Sequence, residues 1–181
     1  MRMMDRNDTV MVLVDFQTKL APKMQNAEET EATIIRMVRA ARVLGIPVIV
    51  TTQNVDGIGH TTSAVSEALG EFEEINKFTF SCMGCEEFRN KIQKTGKKTV
   101  LLTGIEAHCC VEQTCLDLLD AGYKVFVAED CCSSRKTSDY ITSIDRMRDQ
   151  GAIITSYEAA AFELLKDAKA PEFKQILNIV K

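Results

Sequence analysis

Only two histidines occur in the 181 residues, so a metal site built from several histidine ligands has little to draw on. No basic block stands out, and the net charge is −4. A phosphate-neutralising surface for nucleic acid is therefore not expected, and the acidic balance points to solubility. No segment approaches the roughly 20 apolar residues that cross a bilayer. The opening MRMMDRNDTV lacks an apolar stretch of signal-peptide length. Internal repeats, low-complexity tracts and linkers are also missing, so one domain is expected over residues 1–181. The seven cysteines are an odd number in a chain too large to need staples. They read as free thiols in a reducing compartment, the cytoplasm or an organelle.

Five short apolar runs are present: TVMVLVDF (9–16), IPVIVTTQ (46–53), KTVLLTGI (98–105), YKVFVAED (123–130) and GAIITS (151–156). Continuous apolar runs of this length suit strands of a parallel sheet covered on both faces. Between them lie helical patterns: Ile34, Ile35, Val38 and Ala41; Phe88 and Ile92; Val111, Thr114, Cys115, Leu118 and Leu119; Ile141, Ile144 and Met147. Each pattern ends at a glycine, respectively Gly45, Gly96, Gly122 and Gly151, where a helix C-terminus is expected. Residues 54–84 are irregular: VDGIGHTTS reads as a loop, and FEEINKFTFS adds a short strand ending near Lys77. PEFKQILNIVK (171–181) reads as an amphipathic helix suited to assembly. Strand alternating with helix gives an α/β sandwich.

In such sheets, ligands bind beyond the carboxyl ends of the strands at the topological switch point. That rule singles out Asp15, Gln53, Asn54, Lys77, the turn from Gly104 to Cys110, and Asp130. Cys110 lies near a helix start, where backbone N–H groups favour a thiolate. Lys77 would lower the thiol pKa further, and Asp15 would accept and return a proton. Spacing alone does not bring the three together.

LVDFQ (13–17), the lysine of INKFTFS (75–81) and GIEAHCCVEQTCLDLLDAGYKVFVAEDCCSSR (104–135) closely resemble the isochorismatase-like cysteine hydrolases. The likeness covers nearly the whole chain. It is closest to the isochorismatase-domain-containing subgroup, with TTQNVDGIGHT (51–61) and APEFKQILNIVK (170–181) among the similar segments. The resemblance implies a three-layer sandwich with a parallel sheet of about six strands in the order 3-2-1-4-5-6. It implies Asp15 as general base, Lys77 as the residue that orients and charges the site, and Cys110 as nucleophile. It also implies a non-proline cis peptide at Ile105–Glu106 and an oxyanion hole from the N–H groups of Glu106 and Cys110. The reaction implied is hydrolysis of a small amide-type substrate, with no cofactor, by a chain that assembles with copies of itself. Members that hydrolyse vinyl ethers often lack the cysteine. Nicotinamidases add an Asp-x-His metal cluster. This chain offers Asp56 and His60 without that pair, so neither a metal nor nicotinamide is expected.

Each candidate also has a plain structural reading. Asp15 would cap a turn, Lys77 would be a solvated surface lysine, and Cys110 a small core residue. Cys109 competes with Cys110, and spacing from Gly104 favours Cys110. Cys115, Cys131 and Cys132 read as packing residues, and Cys82–Cys85 is a CxxC without a second ligand pair. Gln17, Gln53, Phe80 and His108 are candidates for substrate contact. Against this, the glutamines would fix loops, Phe80, like Phe16, would pack in the core, and His108 would bond a helix start. Two other functions remain open: a catalytically silent scaffold on the same fold, and a thiol-redox protein using Cys82 and Cys85.

Overall fold

The computed structural model describes residues 3–181. Six strands form one sheet: β1 (Thr9–Val14), β2 (Val48–Gln53), β3 (Glu74–Lys77), β4 (Thr99–Ile105), β5 (Lys124–Ser133) and β6 (Ile153–Thr155). Their order is β3-β2-β1-β4-β5-β6, and every pairing is parallel, as the resemblance implied. The central strands β1 and β4 are buried at every position. This is why TVMVLV and TVLLTGI carry apolar residues without alternation.

Among the described residues, eight α-helices surround the sheet: α1 (Ala27–Val43), α2 (Val55–Ile58), α3 (Ser63–Leu69), α4 (Glu86–Lys94), α5 (Glu112–Asp120), α6 (Thr137–Asp149), α7 (Tyr157–Leu165) and α8 (Phe173–Val180). Met11 and Leu13 of β1 face one core with Ile34 and Met37 of α1, Leu164 of α7 and Ile176 of α8. Val10, Val12 and Val14 face the other, with Phe88 of α4, Leu118 of α5 and Met147 of α6. The period-two alternation of the strand thus feeds two cores and makes three layers. At the end of α1, Gly45 takes φ 69 and its N–H bonds Arg42 O at 3.1 Å, the glycine stop read from the sequence.

Four expectations need revision. Within 54–84, read as mostly loop, α2 and α3 are helical, and Val65, Ala68 and Leu69 are buried. Helix α7 was not foreseen; YEAAAFELL has apolar residues on most sides and so no clear stripe. Its start is fixed by Asp130 Oδ1, which accepts from Tyr157 N–H at 2.8 Å, and by Ser156 Oγ, which accepts from Ala159 N–H at 3.3 Å. The C-terminal helix α8 turns its apolar face inward, with Ile176 and Val180 in the core it shares with α1 and α7. That face is therefore not a surface for assembly. Ile141, read as part of the buried stripe of α6, is exposed, while Ile144 and Met147 are buried.

Candidate active site

At the carboxyl edge of the sheet, β1 and β4 lie side by side, and the chain leaves them toward opposite halves of the sheet. The crevice of the switch-point rule opens here. Asp15 follows β1, Lys77 ends β3, and Cys110 lies in a π turn, Ala107–Val111, between β4 and α5. The fold brings these three distant residues together, and all are buried: Asp15 0%, Lys77 2%, Cys110 5% exposed.

Lys77 Nζ donates to Asp15 Oδ2 at 2.7 Å, to Gln53 Oε1 at 2.8 Å, and to the carbonyls of Phe80 at 3.0 Å and Thr79 at 3.1 Å. An ammonium has three hydrogens, so four acceptors leave none free for a substrate. Burial works against this charge, but the Asp15 carboxylate and the neighbouring sulfurs outweigh it and hold Lys77 above the ordinary lysine value. The other carboxylate oxygen, Asp15 Oδ1, accepts from Thr51 Oγ1 at 2.7 Å.

The two glutamines are already occupied. Gln17 is fully buried; its Nε2 donates to Gln53 O and Gly59 O, and its Oε1 accepts from Gln53 N–H at 2.7 Å. Gln53 Oε1 receives Lys77, and its Nε2 donates to Phe78 O at 2.8 Å. Their geometry is that of loop clamps, with amide atoms bonded within the chain and not turned to a ligand. His108 Nδ1 lies 2.9 Å from Ser134 Oγ, in the loop that follows β5. Phe16 is core. Phe80 is not: its carbonyl anchors Lys77 while the residue is 53% exposed, as Phe78 is exposed too.

Cys109, burial and the Asp15 charge push the Cys110 thiol up, against the pull of Lys77. Cys110 in turn holds half-buried Cys109 below the ordinary thiol value. Against the thiolate expected at the helix start, Cys109, burial and Asp15 together favour the protonated form of Cys110. The peptide Ile105–Glu106 is cis. Gly104 before it takes φ 116, and a Cβ there would meet Val14 O at 2.1 Å, so only glycine allows β4 to approach β1 this closely. Glu106 Oε1 accepts from Arg135 Nε at 2.6 Å.

Thr51 and Cys82 did not stand out in the sequence as members of this cluster. Cys82 Sγ is 3.7 Å from Thr51 Oγ1 and fully buried, and all seven cysteines are free. Strand alternation was a usable signal for Thr51, which shares a face of β2 with Gln53. Asp56 and His60 are exposed, and His60 Nδ1 lies 2.6 Å from Glu74 Oε2. Among the described residues, no three His, Cys, Asp or Glu side chains converge as a metal-binding group. A separate crevice of about 420 Å³ opens past β5, lined by Gln25, Asp130, Ser133, Thr137 and Tyr140 among others. None of the three clustered residues lines it.

The model of the isochorismatase domain matches residues 9–159. The secreted isochorismatase effector Isc1 of Phytophthora sojae is 44% identical over 149 residues, covering 80% of this chain and 71% of its own. Isochorismatase domain-containing protein 2 of Xenopus laevis is 35% identical over 172 residues, covering 95% and 83%. Among solved structures, the MAR1 ribonuclease of Caenorhabditis elegans superposes with a TM-score of 0.92 at 35% identity, covering 98% of this chain and 92% of that one. With the fold, the clustered Asp15, Lys77 and Cys110 and these matches in view, the chain belongs to the isochorismatase family.

Proposed function

We propose that this chain is a cysteine hydrolase that cleaves a small amide-type C–N bond through a thioester on Cys110. The observation that carries the reading is the Asp15 carboxylate, which takes Lys77 on Oδ2 and lies close enough to the Cys110 thiol for its charge to raise it, inside a buried site. A raised thiol needs a base, and Asp15 is the group we assign to be one.

In the first step Asp15 accepts the thiol proton as the sulfur bonds to the carbonyl carbon. The N–H groups of Glu106 and Cys110 meet the charge that develops on the carbonyl oxygen. Collapse breaks the C–N bond, and the leaving amine takes the proton from Asp15. Water then gives a proton to Asp15 as its oxygen attacks the thioester. The acid departs, and the proton returns to the Cys110 sulfur. Lys77 holds the carboxylate in place and offsets the negative charge as it moves between oxygen and sulfur. No cofactor enters these steps.

The substrate in this reading is a small molecule. RNA is outside it, because the chain carries a net charge of −4 and no basic block. The exposed rings of Phe78 and Phe80 are the apolar surface that a substrate group or a further copy of the chain would cover. Seven free cysteines fit a reducing compartment such as the cytoplasm, although the Phytophthora relative is named as secreted. Among the described residues, no helix is long and apolar enough to cross a membrane.

The test is a screen of small amides, ureas and related C–N compounds against the wild-type chain and Cys110→Ala. The expected outcome is hydrolysis of at least one class by the wild type and none by the variant. Turnover that survives Cys110→Ala would overturn the mechanism. The 5% exposure of Cys110 favours a second reading, a silent scaffold that binds a partner. Absence of turnover across the screen, together with an unreactive Cys110, would decide for it.

A further inference from the structure

Thr51 and Thr52 are neighbours on β2, equally buried and pointing to opposite faces of the sheet. The Thr52 hydroxyl has no hydrogen-bond partner. The Thr51 hydroxyl has two: Asp15 Oδ1 at 2.7 Å and Cys82 Sγ at 3.7 Å. A hydroxyl carries a single proton, and the acceptor-only carboxylate takes it. The contact with Cys82 must then run the other way, from thiol to hydroxyl oxygen. Burial pushes the Cys82 thiol up to about 12, so its proton is in place at neutral pH. Its backbone is fixed as well, since Cys82 N–H donates to Thr114 Oγ1 at 2.9 Å. The three groups make a one-way donor chain from Cys82 through Thr51 to Asp15, in which each bond polarises the next.

This chain completes the hold on Asp15. Lys77 fixes Oδ2 and Thr51 fixes Oδ1, which sets the plane of the carboxylate relative to Cys110. The backbone is held by the same strand. Asp15 takes φ 50, unusual for a residue with a side chain, and its N–H donates to Thr51 O at 3.1 Å.

We propose that Thr51 is a positioning residue for the Asp15 base, with the Cys82 thiol behind it orienting its hydroxyl. The proposal rests on the reading of Asp15 and Cys110 given above. Thr51 acts through Asp15 and does not itself touch the substrate.

The probe is p-nitrophenyl acetate, whose acyl transfer to Cys110 releases nitrophenolate in a rapid burst. Burst rates are measured against ester concentration for the wild type, Cys110→Ala, Thr51→Val, Thr51→Ser, Thr52→Val and Cys82→Ala. Cys110→Ala is expected to give no burst. Thr51→Val is expected to lower the saturating burst rate by about tenfold, the scale of one hydrogen bond to a charged group. Its half-saturation should stay unchanged. Thr51→Ser should restore most of the rate, and Thr52→Val, the same change one residue along the strand, should leave it alone. Cys82→Ala reaches the same hydroxyl without altering β2, and a loss of about twofold to threefold is expected. If Thr51→Val matches the wild type while Cys110→Ala has no burst, the positioning role is wrong and the nucleophile stands. If Thr51→Ser is as slow as Thr51→Val, the hydroxyl is not the cause and the proposal fails. A burst that persists in Cys110→Ala removes the reading itself and the proposal with it.

Discussion

Lys77 Nζ lies 2.7 Å from Asp15 Oδ2, and neither side chain has solvent-accessible surface. Two charges removed from water in this way are held by each other and by the Thr51 hydroxyl, the Gln53 amide and two carbonyls. Breaking one partner leaves the other charge buried alone, which costs about 3–5 kcal/mol. Lys77→Met and Asp15→Asn are each expected to destabilise the chain on that scale in urea unfolding. The double variant should lose less than the sum, because neither charge is then stranded. Strict additivity would mean that the pair is not coupled.

The pair also sets a pH dependence. Lys77 is held above its ordinary value of 10.5, so the folded state keeps its proton where the unfolded chain has released it. The stability this lends is fully present below about pH 10.5 and is lost as pH rises through the higher folded value. Cys82 acts in the same direction. Its thiol is raised from 9.0 to about 12, so above pH 9 unfolding releases a proton and stability falls. Urea midpoints for the wild type and the Asp15→Asn/Lys77→Met double variant should converge or narrow only above about pH 10.5. A difference that is constant from pH 7 to 12 would contradict the assignment.

The separate parts of this cluster differ in how far the linear sequence reveals them. The strands are legible as apolar runs, because a strand covered on both faces carries mostly apolar residues, and the helices as stripes closed by glycines; the order of the sheet followed from the family resemblance instead. Cys110 is marked by Gly104 six residues earlier, at a point where a Cβ would strike the next strand. Lys77 has no such mark. Its burial depends on the carbonyls of Thr79 and Phe80 and the amide of Gln53 folding around one ammonium, and no spacing encodes that. The glutamines read two ways for the same reason, since an amide that clamps a loop and one that binds a ligand are identical residues. The groups that raise Cys110 were also hidden. A helix start and a nearby lysine predict a thiolate, but Cys109, burial and the Asp15 carboxylate act the other way.

Gly104 should tolerate no side chain. At φ 116 an added Cβ would sit 2.1 Å from Val14 O and 2.6 Å from Val14 N. These are backbone atoms of a paired strand, not side-chain ends that can swing away. Gly104→Ala is expected to cost at least about 4 kcal/mol, in the range reserved for core overpacking and special backbone geometry. Val14 precedes Asp15, and Gly104 precedes the Ile105–Glu106 peptide. The variant should therefore lose hydrolysis even where stabilising conditions keep it folded. A soluble Gly104→Ala chain with an unchanged urea midpoint would show that β1 and β4 can separate without penalty.

Six of the seven thiols should react in an order that the expected thiolate at Cys110 would not give. Cys109 is half-buried and held low by neighbouring Cys110, whereas Cys110 is 5% exposed and raised. Alkylation proceeds through the thiolate and needs access. With iodoacetamide at neutral pH, followed by peptide mass spectrometry, Cys109 is therefore expected to label first. Cys82, Cys115, Cys131 and Cys132 are buried, and burial pushes each of them up, so they should label only on unfolding. Cys110→Ala removes the neighbour that holds Cys109 low, and labelling of Cys109 should then slow at pH 7. Fast labelling of Cys110 ahead of Cys109 would place the thiolate on the nucleophile itself, and Asp15 would no longer be needed as the base that starts the reaction.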